Sequence, residues 1–357
     1  MSGSETRTDS QARNGNERRP RLGFLGLGWI GQHRMRAIVE SGVAEAVSLC
    51  DPEPTALARA RELTPAARTA SSLEELLCHE LDGLVVATPS ALHAQQSIQA
   101  LERGIAVFCQ KPLGRNEAEV KRVIDAARKN DKRLGVDFSY RYSEGMQRVR
   151  QLVRSGELGD VYATQLVFHN AYGPDKPWFY DAQLSGGGAL MDLGTHLVDL
   201  ALWVLDFPEL RGVTSQLYAN GAPLLAAGAA SVEDFVTAQL ALGSGIAASL
   251  SCSWRLHAGR DCVFEATFYG TQGAASLRNV NGSFYDFRAE AFNGTARRVI
   301  AEPPDAWGGR AAVAWAADLA RDSHYDPAAD HFLEVAHVLD CIYTAPPPRA
   351  QDQPCGS

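Results

Sequence analysis

Arg21-Leu22-Gly23-Phe24-Leu25-Gly26-Leu27-Gly28-Trp29-Ile30-Gly31 decides how this chain begins to fold. A short apolar run ends in a glycine string, and a helical pattern follows from Gln32 to about Ser41, so the GxGxxG spacing sits between a strand and a helix. Each glycine does its work through the side chain it lacks. Gly26 permits a tight turn, Gly28 lets a pyrophosphate approach the backbone, and Gly31 allows the helix to pack close. The helix N-terminus adds oriented N–H donors for an anion, and Trp29 and Ile30 within the glycine string are expected cofactor contacts. A second strand, Ala46 to Cys50, ends in Asp51, 20 residues beyond Gly31, where an acid accepts hydrogen bonds from an adenine ribose and repels a 2′-phosphate. The expected ligand is a dinucleotide, NAD being favoured over NADP.

Outward from that stretch, strands and helices alternate. Ser72 and Glu75 have capping-box spacing, and Leu84 to Ala87 reads as a buried strand ending at Thr88-Pro89, with His93 beyond. A helix from Ala94 to Arg103 and a strand from Ile105 to Phe108 lead to Cys109-Gln110-Lys111-Pro112. Pro112 disfavours an α conformation at Lys111, which places that lysine on an extended turn at a strand end, where ligands of parallel sheets bind. A helix from about Glu117 to Lys129 and a strand from Leu134 to Asp137 complete a doubly wound parallel sheet near Phe138.

Beyond it the pattern changes. A helix from about Glu144 to Ser155 and a strand from Val161 to Asn170 precede Tyr172-Gly173-Pro174-Asp175-Lys176-Pro177-Trp178-Phe179-Tyr180. That segment reads equally as a packed surface loop or as a cavity wall, with Tyr172 and Trp178 as substrate contacts. In Gly186 to Trp203, helical spacing puts Asp192, His196 and Asp199 on one face at i, i+4 and i+7, a carboxylate one turn from an imidazole. Such a pair is more often structural than catalytic, so its meaning depends on what lies beside it. Strict alternation over Ile246 to Arg255 and similar runs at Phe235 to Leu242, Cys262 to Tyr269, Ala274 to Val280, Ser283 to Phe292 and Ala296 to Ala301 predict an antiparallel sheet. One of its faces carries small polar side chains that suit solvent or another subunit. A last helix is expected over Asp330 to Tyr343, ahead of Pro346-Pro347-Pro348.

The 357 residues suffice for two cores, and 45% apolar with 21% charged residues is ordinary for a globular chain. A net charge of −8 argues against general nucleic-acid binding. No apolar run approaches a bilayer span, and the first residues lack the hydrophobic block of a signal peptide. The seven cysteines are odd in number and scattered, with no pair or Cys/His cluster at metal spacing, so reduced thiols, a cytoplasmic location and no metal are expected. The expected organisation is a disordered tail over 1–20, a dinucleotide-binding domain over 21–138, a second domain over 139–348 and a polar end over 349–357.

Four motifs in order carry a resemblance: Gly26 to Gly31; Val86-Ala87-Thr88-Pro89 with His93; Gln110-Lys111-Pro112-Leu113; and Gly186 to Asp199, of the form GGGxLxDxGxHxxD. The chain resembles the glucose-fructose oxidoreductase, inositol dehydrogenase and rhizopine-catabolism family, Gfo/Idh/MocA, from Leu22 to about Pro348. The resemblance implies a Rossmann domain followed by an α+β domain with a large open, mainly antiparallel sheet, through which a homo-oligomer, a dimer or tetramer, forms. It also implies reversible oxidation of a secondary alcohol on a sugar or cyclitol by NAD or NADP. Lys111 takes the place of the family's catalytic lysine and Asp192 and His196 of its aspartate and histidine, while Thr88, Pro89 and His93 line the nicotinamide end. Asp199 either binds a substrate hydroxyl or locks its helix. In the implied mechanism His196 exchanges the hydroxyl proton, Asp192 orients the imidazole and Lys111 donates to the reacting oxygen. Gln110 departs from the family's Glu-Lys-Pro and removes a negative charge beside the lysine. An NAD-dependent glycosidase working by transient oxidation, or a non-catalytic cofactor sensor, remain as alternatives.

Overall fold

The computed structural model describes residues 19–224 and 231–345, so the expected disordered tail, apart from Arg19 and Pro20, and the polar end lie outside the described residues. Six parallel strands form the first sheet: β1 (Arg21–Leu25), β2 (Glu45–Cys50), β3 (Arg68–Ala70), β4 (Gly83–Val86), β5 (Ala106–Cys109) and β6 (Leu134–Val136). Their order, β3-β2-β1-β4-β5-β6, reverses direction between β1 and β4, which opens a crevice at the carboxyl ends of those strands. The crossovers are α1 (Trp29–Ser41), α2 (Pro54–Leu63), α3 (Leu73–Leu76), α4 (Ser90–Glu102) and α5 (Glu117–Lys129). The strands are short apolar runs buried on both faces, as a sheet covered by helices requires. Around α3 half of the expected capping box forms, Ser72 Oγ accepting from Glu75 N, while the Glu75 carboxylate accepts from Ser71 N, one residue before the cap. Sequence reading passes over α2 and β3, although Pro54 in the first turn and a Glu53 side chain accepting from Thr55 N mark the start of α2.

The second sheet has nine strands: β7 (Val161–Asn170), β8 (Leu210–Ala219), β9 (Ala222–Pro223), β10 (Phe235–Leu242), β11 (Ile246–Ser253), β12 (Cys262–Gly270), β13 (Ala274–Asn279), β14 (Phe287–Asn293) and β15 (Ala296–Ala301). Its order is β15-β14-β13-β12-β7-β11-β10-β8-β9, antiparallel throughout except for the parallel pair β7–β11. β14 starts at Phe287 rather than Ser283, because Ser283 Oγ accepts from the Tyr285 and Asp286 amides and turns the chain first. The helices α6 (Glu144–Arg154), α7 (Ala182–Ser185) and α8 (Thr195–Val204) follow, with α6 and α8 lying on the inner face of this sheet.

Two later helices tie the halves together. α9 (Arg310–Arg321) packs on α1 and sends Trp315 against Phe108 of β5, with ring centroids 5.5 Å apart. A Cβ at Gly83 or Gly135 would come within 2.7 or 2.6 Å of that indole, so both strands are glycine where the tryptophan lies on the sheet. Ala311, Ala312, Trp315, Ala316 and Leu319 thus join the core of the first sheet, although they lie far beyond residue 138 in the sequence. α10 (His331–Thr344) contacts α5 on one side and α8 and β8 on the other. No helix among the described residues is long and apolar enough to cross a membrane.

Candidate active site

The crevice between the two sheets is a cleft of about 1130 Å³. At its first end the glycine string behaves as three different positions. A Cβ at Gly26, where φ is +85°, would come 2.5 Å from Ala87 O, and one at Gly31 would come 2.1 Å from Gly26 O, so both are closed by the fold itself. A Cβ at Gly28 meets nothing within 4 Å, and Gly28 is the N-cap of α1 without a side-chain cap. Open space at an uncapped helix N-terminus fits a pyrophosphate. Trp29 and Ile30 line the cleft beside it, Trp29 being 67% exposed. Asp51 also lines it, its carboxylate steadied by the Leu27 and Glu53 amides. These residues fit a dinucleotide along the carboxyl ends of β1 and β2.

Thr88, Pro89 and His93 line the middle of the cleft. His93 is buried, with Nδ1 2.6 Å from Pro112 O and Nε2 2.7 Å from Thr88 O, so it straps the turn after β4 to the turn after β5. Burial pushes its pKa down, opposed by those two carbonyls.

Lys111 follows Gln110 at the end of β5, with a cis bond to Pro112. Its Nζ donates to Asp192 Oδ1 at 2.7 Å and to the Asp192 carbonyl at 2.6 Å. The second Asp192 oxygen accepts from Trp254 Nε1 at 3.1 Å. The continuous helix expected over Gly186 to Trp203 is corrected here, since Leu190–Gly194 is a π turn ahead of α8. Asp192 sits within this turn, and its carboxylate reaches Lys111 of the first domain. Asp192 accordingly holds Lys111 rather than the imidazole. His196 is buried, with its Nδ1 unpartnered and its ring edge-on to Tyr140 at a centroid distance of 4.8 Å. Burial, then the charges of Lys111 and Arg34, hold its pKa well below the usual histidine value.

Of the two roles expected of Asp199, its contacts are those of the structural one. Both its oxygens accept from Arg141 Nε, at 3.0 and 2.9 Å, and it is buried behind the cleft; burial raises its pKa and Arg141 opposes that rise. Tyr172 packs on the cleft-lining Phe284 at 6.0 Å between ring centroids and stands behind it rather than among the described lining residues. Trp178 does line it, stacked on Phe179 at 3.8 Å.

Sequence reading missed what holds the site. Glu233 is buried, and its carboxylate accepts from the Gly188 and Leu190 amides and from the Tyr343 hydroxyl. Burial raises its pKa, and those donors oppose the rise. A Cβ at Gly188 would lie 1.9 Å from Glu233 O and one at Gly187 1.9 Å from the Tyr343 hydroxyl, so two of the three glycines admit these partners. Trp254 ends an alternating strand and Glu233 precedes one, positions with no local signal of such roles. No group of three or more metal-binding side chains occurs among the described residues.

Residues 21–138 match the oxidoreductase family with the NAD-binding Rossmann fold, and residues 146–276 match the GFO/IDH/MocA C-terminal domain. The chain belongs to the Gfo/Idh/MocA family. A putative UDP-kanosamine synthase oxidoreductase subunit of Amycolatopsis mediterranei is 32% identical over 72% of this chain and 75% of that one. D-glucoside 3-dehydrogenase of Escherichia coli is 29% identical over 65% of this chain and 69% of its own length. The crystal structure of GenD2 from gentamicin A biosynthesis, in complex with NAD, shares the fold with a TM-score of 0.75, at 22% identity over 96% of each chain. This Gfo/Idh/MocA chain is an NAD(P)-dependent dehydrogenase or reductase with a Rossmann cofactor domain.

Proposed function

We propose that the enzyme interconverts a secondary alcohol and a ketone on a sugar, sugar derivative or cyclitol, with NAD preferred over NADP. The observation that carries this reading is the contact of Lys111, from the cofactor domain, with Asp192, from the second domain, in the cleft that begins at Gly28 and that His196 also lines. The nicotinamide ring, when bound, supplies the hydride acceptor or donor. The rest falls to the chain. Lys111, oriented by Asp192, donates a hydrogen bond to the reacting oxygen, where negative charge develops. His196 is held neutral by its burial, the state in which an imidazole accepts the hydroxyl proton; in the reverse direction it returns that proton. Trp178 offers an aromatic face to the C–H face of a sugar ring, and Asp51 supports the preference for NAD. A homo-oligomer through the outer face of the nine-stranded sheet completes the reading, where Thr214, Gln216, Gln239 and Ala247 are exposed.

The test is a panel of sugars, cyclitols and keto-sugars followed at the nicotinamide absorbance band, with NAD and NADP in parallel and the native mass measured by light scattering. Lys111→Ala and His196→Ala should each lower kcat by about a hundredfold or more while leaving NADH affinity within a few-fold. Undiminished turnover in both variants would remove these roles, a preference for NADP would remove that of Asp51, and a monomeric mass would remove the sheet interface.

A further inference from the structure

Three buried polar residues lie beside the Lys111 turn and take no part in the scheme above. They are Arg34 on α1, Gln110 at the end of β5 and Asp137 just past β6, only 5%, 7% and 1% exposed. Arg34 Nε and Gln110 Nε2 both donate to Asp137 Oδ2, each at 2.5 Å. All three border the cleft. A carboxylate this deep costs heavily unless it is paired, and here one guanidinium and one amide meet it on a single oxygen. The cluster joins the helix that begins at the glycine string to the residue directly before Lys111.

We propose that Asp137 is the positioning anion of this site, carrying at the end of β6 the negative charge that the family's Glu-Lys-Pro motif carries at position 110, and that position 110 is glutamine because position 137 is aspartate. The chemistry of the contact requires this division. Gln110 has an N–H to give, and Asp137 Oδ2 accepts it. A glutamate in its place would set a second carboxylate oxygen against the first with no proton between them, and Arg34 would be the only cation shared by the two. Like charges at that separation do not both stay ionised, so the cluster would rearrange and move Lys111 with it. Removing the charge at Asp137 instead leaves the Arg34 guanidinium buried without its counter-ion. Exchanging both residues restores one anion, one amide and one guanidinium.

A double-mutant cycle reads this directly, on the full-length protein, with Gln110→Glu, Asp137→Asn, the double variant, and Gln110→Met as a neutral control. The first readout is the split between kcat and KM, which rests on the role proposed for Lys111. The second and third, NADH affinity by fluorescence titration and the thermal midpoint, need no turnover. A wild type inactive on every sugar would thus defeat the proposed function and still leave the charge exchange measurable. Gln110→Glu and Asp137→Asn should each lower kcat by about tenfold or more with smaller changes in KM, and the double variant should recover to within a few-fold of wild type. If a single variant fails to fold, recovery of the thermal midpoint in the double variant carries the same meaning. Losses that simply multiply in the double variant overturn the proposal. So does a Gln110→Glu variant no worse than Gln110→Met, since the charge would then be irrelevant.

Discussion

At the scale of single residues, the site depends on which partner each charge has taken. Asp192 stands four residues before His196, yet its two oxygens go to Lys111 and Trp254, which turns a presumed Asp/His pair into a Lys/Asp pair with an unpaired imidazole beside it. The indole of Trp254 donates to the far oxygen of that carboxylate, and it defines the direction in which Asp192 holds the lysine. Trp254→Phe keeps the ring and deletes the N–H. A hydrogen bond to a charged group contributes about 1.5–3 kcal/mol to stability, so the thermal midpoint should fall measurably, and with Asp192 loosened kcat should fall by about tenfold or more. Steady-state kinetics and a melting curve on the same preparation check it, and an unaltered kcat would mean that Lys111 alone orients Asp192.

At the scale of elements, α9 decides more than its length suggests. Twelve residues from the far end of the second domain cover the cofactor sheet, and Trp315, 5% exposed, fills the space that Gly83 and Gly135 leave open. Deleting a buried indole removes its transfer free energy and leaves a cavity that stiff neighbouring strands cannot close. Trp315→Ala should therefore cost about 3–5 kcal/mol of unfolding free energy in urea titration, and should weaken NADH binding because α9 supports α1. A loss below about 1 kcal/mol would show that the first domain stands without this helix. The π turn at Leu190–Gly194 is the second such element: Asp192 reaches Lys111 from within it, while Glu233 ties down the amides at its start.

For the whole molecule, the buried histidines set the acid limb of stability. His196 and His93 have pKa values lowered chiefly by burial, and partial burial takes His169 to about 4. The unfolded chain takes up these protons near 6.5 and the folded one resists them, so stability is intact above that pH and is lost as pH falls from about 6.5 toward 4. Asp199 and Glu233 act in the opposite sense, because their raised values let the folded state bind protons first. His169→Gln separates the two effects: Nδ1 of His169 rests 2.8 Å from Ser253 Oγ, and the variant should show a shallower decline of thermal midpoint over that window. Identical slopes would remove His169 from the account.

The amino-acid sequence by itself determined five of the six strands of the first sheet, the glycine turn, the position of Asp51 and the existence of a second, strand-rich domain. Each of these is written locally, in short apolar runs, in missing side chains and in strict alternation, where neighbours along the chain decide the conformation. Lys111, Asp192 and His196 were legible as chemistry, because their types and motifs stand out. Their connections were not. Whether Asp192 meets His196 or Lys111 depends on a π turn and on side chains 81 and 62 residues away in sequence, and the same is true of Arg141 with Asp199, 58 residues apart, and of Arg34 with Asp137, 103 apart. Pairings between buried charges are selected by burial and by what else is within reach, and those are properties that only the packed tertiary structure possesses.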